Sequence, residues 1–192
     1  RRNRPPDGVL RPLQSAVDAV DVPNALSEDQ MAGAFRALYE LNDFVEALPE
    51  EARAEVHKIA TRLNADRQSR GETLSNHLRS AIAGALGSLN RGRGMDSGDV
   101  LSVLLGLAKG TLELRWWNAA SFHHELLWAF EQIFKDKSLG SSPATMEIRD
   151  LATKLLEKWG PLVKEDPQKT AEHQDEAAVV ELANSILGLP TH

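Results

Sequence analysis

The chain contains no cysteine. This absence excludes disulfide bonds, thiolate metal sites and thiol catalysis. Aromatic residues are scarce, at 5% of 192 residues. No apolar run approaches the roughly 20 residues that a membrane-spanning helix needs, because the longest, Val100 to Ala108, is interrupted by Ser102 and Gly106. We therefore expect no membrane span.

Positive charge is also in deficit, since 22 Lys and Arg face 28 Asp and Glu, for a formal net charge of -6. Such a balance argues against a surface that binds nucleic acid over its whole extent. Arginines nevertheless cluster between residues 62 and 93. The cluster consists of Arg62, Arg67, Arg70, Arg79, Arg91 and Arg93. These arginines can contact RNA or an acidic partner. Alternatively, they lie on solvated helix faces and in a flexible Arg-Gly loop.

Ala and Leu, the strongest helix formers, dominate the remaining composition. No segment alternates apolar and polar residues with the period of a strand. The sequence predicts an all-α protein of about eight amphipathic helices, packed as a bundle or a short α-solenoid-like array. The helices are expected at about 12–20, from Ser27, from Pro49, and at about 72–89, 97–109, 118–135, 144–159 and 175–188.

Three local patterns sharpen this assignment. Ser27 and Gln30 have the spacing of a capping box, which starts a helix. The segment 97–109 is apolar nearly all round, which predicts the centre of the core. Gly160 and Pro161 are expected to end the seventh helix.

The chain divides into an Arg/Pro-rich head with a short helix (1–25), a helical core (26–163) and an acidic linker with a last helix (164–192). Residues 26–41 align with residues 95–110, because both segments begin with an apolar residue and a cap and then place apolar residues at matching positions. Two amphipathic helices follow each segment. The core is therefore interpreted as two possible helix triplets, 26–94 and 95–163.

The segments Met95–Lys109 and Phe122–Phe130 resemble the leucine-, alanine- and tryptophan-containing helices of octotricopeptide and RAP-type repeat proteins. Those proteins belong to mitochondria and plastids. The resemblance implies organellar RNA handling, or incorporation as a subunit of an organellar ribosome or another complex.

A second resemblance competes with the first. Residues 147–163 contain Leu-Ala-Thr-Lys-Leu-Leu-Glu-Lys-Trp and are similar to the last helix of the N-terminal domain of the elongation factor TFIIS. Residues 74–163 can supply the rest of such a bundle. This family implies a nuclear module that binds short disordered motifs.

Few residues suggest chemistry. The adjacent His123, His124 and Glu125 point in different directions on a helix, so they fit a half-buried face better than a metal site. Arg115, Trp116 and Trp117 can bind a partner or stack on a ring, or one Trp can fill the core. The head adds Arg1, Arg2 and Arg4 as partner contacts. No nucleophile, phosphate-loop or dinucleotide motif is present.

The sequence therefore predicts a non-enzymatic helical subunit of a larger, organellar complex, with no cofactor and no metal, whose partners are other protein subunits. Two alternatives stay open. One is the TFIIS-like nuclear module, and the other is a small helical-repeat RNA binder, which the acidic net charge disfavours.

Overall fold

The computed structural model describes residues 27–40, 50–69, 74–113, 118–165 and 174–190. Within these ranges the chain is helical and contains no strand. Its elements are α1 (Glu28–Glu40), α2 (Glu50–Ser69), α3 (Asn76–Leu89), a 3-10 helix (Gly94–Ser97), α4 (Gly98–Ala108), α5 (Asn118–Ile133), α6 (Pro143–Glu165) and α7 (Gln174–Leu187). The predicted all-α fold is confirmed. The predicted helix at about 12–20 lies outside the described residues.

Local hydrogen bonds explain where several helices begin. The hydroxyl of Ser27 accepts from the amide of Gln30 at 3.3 Å, and the Gln30 side chain accepts from the Ser27 amide at 2.9 Å. These reciprocal bonds are the predicted capping box. Ser75 caps α3 in a similar way, by accepting from the amide of Leu78 at 3.2 Å. Polar residues that satisfy the first amides thus fix the starts of α1 and α3.

The predicted end of the seventh helix at Gly160-Pro161 is wrong, because α6 continues to Glu165. A proline inside a helix removes one amide donor and crowds the carbonyl four residues earlier. That carbonyl belongs to Glu157, and both Glu157 and Pro161 are exposed. Water can therefore solvate the affected turn, while buried Trp159 and Gly160 hold the other side of α6 in the fold.

The helices alternate between two layers as the chain proceeds. In one layer α1 packs on α3, α3 on α5 and α5 on α7; in the other, α2 packs on α4 and α4 on α6. Helix α6 also lies along α7. The two predicted triplets share one core, because α3 of the first packs on α5 of the second. No helix in the described part of the chain is long and apolar enough to cross a membrane.

Helix α3 is the most enclosed element, since every residue from 81 to 89 is buried. Small residues permit this close packing: a Cβ placed on Gly87 would lie 2.6 Å from the Cα of Ala129 in α5. Helix α4 was predicted to form the centre, yet Ser102 and Asp99 on it are exposed. The centre of the core therefore lies at the contact of α3 with α5, where the backbones approach closely.

Candidate functional site

The residues proposed from the sequence as partner contacts lie outside the described residues, and so does one of the clustered arginines. The set is Arg1, Arg2, Arg4, Arg70, Arg115, Trp116 and Trp117. Arg67 falls within α2. Of the other arginines, Arg62 and Arg91 are exposed and Arg93 is half-buried. Their contacts with an anionic partner stay a prediction.

Arg79 differs from the other arginines because it is only 6% exposed. Its guanidinium carbon lies 5.9 Å from the centroid of the Phe122 ring in α5. Burial lowers the pKa of Arg79, and the negative charge of Glu28 raises it. Contact with an aromatic face compensates part of the lost hydration of the cation. Arg79 thus belongs to the interior and is removed from the set of arginines that an external anion can reach.

His123 forms the centre of a buried hydrogen-bond chain between three segments. The indole nitrogen of Trp159, on α6, donates to Nδ1 of His123 at 3.1 Å. Nε2 of His123 lies 3.1 Å from the hydroxyl of Thr111, which itself donates to the carbonyl of Ala108 at 2.7 Å. Because the hydroxyl proton of Thr111 is already donated to the Ala108 carbonyl, Nε2 of His123 must donate to the hydroxyl oxygen. The chain links α6, α5 and the end of α4.

These partners select one neutral form of the imidazole. Nδ1 accepts and Nε2 carries the proton, whereas a protonated ring would place an N–H on Nδ1 against the N–H of Trp159. Burial lowers the pKa of His123 to about 3, assisted by the positive charges of Lys158 and Arg79. His123 has no exposed surface. It is a structural group of the core, and no proton exchange with a substrate is available to it.

His124 behaves in the opposite way. Interaction with the carboxylate of Glu125, which lies 3.8 Å from Nδ1 of His124, raises the pKa of His124 against the effect of burial. The charges of Asp175 and Glu131 add to the increase. The prediction of a half-buried face is correct for His124 and Glu125, and His123 is fully buried. Within the described ranges, no three His, Asp or Glu side chains are placed to hold a metal ion.

A groove between the second half of α6 and the length of α7 has the properties of a binding surface. Its volume is about 1080 Å³. Apolar side chains dominate its lining: Leu156, Val163, Ala177, Ala178, Val180, Leu189 and Pro190. Leu189 is 47% exposed, and Leu162, beside the groove residue Pro161, is 41% exposed. Exposed apolar surface that is continuous along a groove is typical of a protein-binding site.

Acidic and backbone groups border this apolar floor. Glu157 of α6 and Glu181 of α7 both line the groove. Pro161 lies in the groove as well, and it deprives the carbonyl of Glu157 of its usual helical donor. The groove therefore combines an apolar floor with two kinds of hydrogen-bond acceptor, the carboxylates of Glu157 and Glu181 and the backbone carbonyl of Glu157. Among the lining residues that the structure describes, none carries a cationic side chain.

The groove was not predicted from the sequence, because the seventh helix was expected to end at about residue 159. Gly160 and Pro161 were assigned to the helix terminus and Val163 to the last residue of the helical core, and all three line the groove. One signal was available: Leu156, Gly160 and Val163 continue the helical spacing of i, i+4 and i+7 past the proline. The long-range pairing of α6 with α7 has no local signal.

Comparison with models of protein families, with curated proteins and with solved structures gives no match. The two family resemblances therefore stay predictions. The function must be inferred from the groove and its chemistry.

Proposed function

We propose that this protein is a non-enzymatic interaction subunit that receives a basic amphipathic helix of a partner protein in the groove between α6 and α7. The observation that carries the proposal is an apolar floor bordered by Glu157 and Glu181. A helix with an apolar stripe and flanking Lys or Arg residues matches both features. This binding mode requires no catalytic group in the groove.

The dimensions of the groove favour a helix over a small molecule. Its volume of about 1080 Å³ lies at the upper limit of the roughly 300–1,000 Å³ found for small-molecule pockets. The groove residues of α7 include Gln174, Ala177, Glu181 and Asn184, which recur every three or four positions. From Gln174 to Asn184 the helix rises roughly 15 Å at 1.5 Å per residue. This length accommodates about three turns of a partner helix.

The charge of the groove favours a basic partner. Glu157 of α6 and Glu181 of α7 are acidic residues of its lining. The formal net charge of the chain, -6, has the same sign. Lys and Arg side chains bury their aliphatic stems on apolar surface while their charged ends reach carboxylates. An acidic partner helix would be repelled at the same positions.

The negative groove also supports a protein partner over RNA, because phosphates would be repelled by the same carboxylates. Membership of a larger assembly follows from the proposal, since the groove requires a second chain. Residence in a mitochondrion or plastid, with the nucleus as the alternative, stays a prediction from the sequence. Imaging of the tagged protein in cells tests it directly.

A synthetic peptide tests the proposed binding mode. The probe is a fluorescein-labelled helix of about 18 residues, long enough to form turns in water, with Leu at i, i+3, i+4 and i+7 and Lys on the remaining face. Anisotropy measures its affinity for the wild-type protein and for the double variant Glu157→Lys/Glu181→Lys. Exposed charge pairs contribute up to about 1 kcal/mol each, so we expect roughly tenfold weaker binding by the variant at low salt.

Two controls make this result specific. Glu147→Lys reverses an exposed charge on α6 outside the groove and should leave the affinity unchanged. A peptide with Glu in place of every Lys should bind the double variant better than the wild-type protein. Equal affinity of the wild type and the double variant for the basic peptide would refute the proposal, as would preferential binding of the acidic peptide by the wild type.

A photo-crosslinking residue in place of Ala177 extends the test to the natural partner. Ala177 lines the groove and is half-buried, so a crosslinker there contacts an occupant. Mass spectrometry of the crosslinked product should identify a segment with apolar residues at helical spacing and flanking Lys or Arg. Crosslinking to an acidic segment, or to RNA, would contradict the proposal.

A further inference from the structure

A second pocket, separate from the groove, lies where α2 faces the beginning of α4. Its volume is about 360 Å³. Helix α2 forms one side of the pocket with Arg53, Ala54 and His57. The connection after α3 contributes Asn90, Arg93 and Asp96. The start of α4 contributes Ser97, Gly98, Asp99 and Val100. The positive end of the α4 dipole is therefore directed at a pocket that also contains two arginines.

Two buried polar groups at this pocket lack a partner. Ser97 is 5% exposed, and its hydroxyl makes no hydrogen bond. Although Ser97 occupies the N-cap position of α4, its side chain does not cap the helix. Nε2 of His57 is also buried without a hydrogen-bond partner. Buried polar groups without partners are rare and costly, so the Ser97 hydroxyl and Nε2 of His57 can each gain a hydrogen bond to a ligand in this pocket.

The charges around the pocket are arranged by depth. Asp96 and Asp99 are exposed, and Asp96 lies 3.9 Å from the ammonium of Lys137. Water therefore screens both carboxylates, and Lys137 also offsets the charge of Asp96. Ser97 is buried, and Arg93 is half-buried with its backbone carbonyl bonded to Lys137 at 3.0 Å. The interior is rich in groups that donate hydrogen bonds, and the negative groups lie at its edge.

We propose that this pocket binds the phosphate group of a small ligand at the N-terminus of α4. The Ser97 hydroxyl and the guanidinium of Arg93 donate to the phosphate oxygens, with Arg53 and His57 completing the enclosure from α2. Phosphates commonly bind at helix N-termini because the dipole and the donors there favour negative charge. The volume, near the lower limit for small-molecule pockets, fits a phosphate monoester and excludes a strand of nucleic acid.

A titration of the intact chain with inorganic phosphate, and a second one with adenosine monophosphate, test the assignment. The chemical shifts of the backbone amides report binding in both. We expect saturable shifts at residues 97–100 and at His57. Ser97→Ala should weaken binding about tenfold, because one hydrogen bond to a charged group is lost. The unfolding midpoint of Ser97→Ala without ligand should stay the same or rise, since its hydroxyl has no partner to lose.

Arg93→Gln and Arg91→Gln form a matched pair. Arg91 is exposed in the same loop and does not line the pocket, so only Arg93→Gln should weaken binding. If adenosine monophosphate binds more tightly than inorganic phosphate, the ligand is an ester; if affinities are equal, free phosphate suffices. Absence of saturation below about 10 mM phosphate would overturn the proposal. Equal affinity of Ser97→Ala and wild type would do the same, as would RNA binding that depends equally on Arg91 and Arg93.

Discussion

Replacement of His123 by glutamine should remove a pH dependence of stability that the buried imidazole confers on the wild-type protein. In the unfolded chain a histidine takes up a proton near pH 6.5. In the folded chain the pKa of His123 is lowered to about 3 by burial, with Lys158 and Arg79 as smaller causes. The unfolded state therefore binds more protons between these two values. Stability is complete above pH 6.5 and is lost as the pH falls toward 3.

The magnitude follows from the two pKa values. One pKa unit corresponds to about 1.4 kcal/mol, so a displacement from 6.5 to about 3 has a limit of about 5 kcal/mol. At about pH 5, where most carboxylates are still ionised, the displacement already reached is about 1.5 units. We expect the wild type to lose about 2 kcal/mol from this group between about pH 7.5 and pH 5.

Urea unfolding followed by circular dichroism measures this effect. The free energy of unfolding is determined for wild type and His123→Gln at several pH values. The variant should be less stable at neutral pH, because the bonds with Thr111 and Trp159 are weakened. The difference between the two proteins should then shrink by about 2 kcal/mol toward pH 5. Titrations of all other groups cancel in this difference.

Trp159→Phe provides the matched comparison. This substitution removes the donor to Nδ1 of His123 but leaves the imidazole buried, and burial is the largest cause of its low pKa. We expect Trp159→Phe to be destabilised and to keep most of the wild-type pH dependence. A constant difference between wild type and His123→Gln from pH 7.5 to pH 5 would refute the assignment of His123 as a buried neutral group.

Three further substitutions test the packing and the second histidine. Gly87→Ala should lower the free energy of unfolding by about 1–3 kcal/mol in chemical denaturation, because its Cβ would meet the Cα of Ala129 at 2.6 Å; an unchanged stability would contradict this close approach. Gly33→Ala, with nothing within 4 Å, is its control and should stabilise α1 by up to about 1 kcal/mol. His124→Gln should lower the free energy of unfolding most in mildly acidic solution. The reason is that Glu125 raises the pKa of His124 in the folded state. The resulting stabilisation is fully present below pH 6.5 and is lost as the pH rises through the folded-state pKa. An effect that grows toward alkaline pH would refute it.

The sequence predicted the helices well where the determinants are local. The reciprocal bonds of Ser27 and Gln30 involve neighbours in the chain, so their spacing sufficed to place the start of α1. The same kind of local rule failed at Pro161, because the cost of a proline depends on whether the affected carbonyl is exposed. Exposure is a property of the packed molecule, which the chain does not encode at one position.

The candidate sites depend on contacts between distant residues, and for that reason they were hard to predict. His123 bonds to Trp159, 36 positions along the chain, and to Thr111, 12 positions away, and these pairings and its burial distinguish it from the half-buried His124. The phosphate pocket joins Arg53 to Ser97 through the packing of α2 beside α4. Arg93 was proposed as an anionic contact from its local cluster, but no local pattern indicated that α2 would face it.

The Trp159 indole also has a consequence for exchange with solvent. Its N–H proton is bonded to His123 in the interior, and the Trp159 side chain is only 5% exposed. Exchange with deuterium therefore requires α6 to separate from α5, a motion that disrupts the core as a whole. The indole proton should exchange at the rate of global unfolding, whereas amides near Gly188 at the end of α7 exchange through local fraying. The exchange rate of the Trp159 indole resonance thus measures the rate at which the entire molecule unfolds.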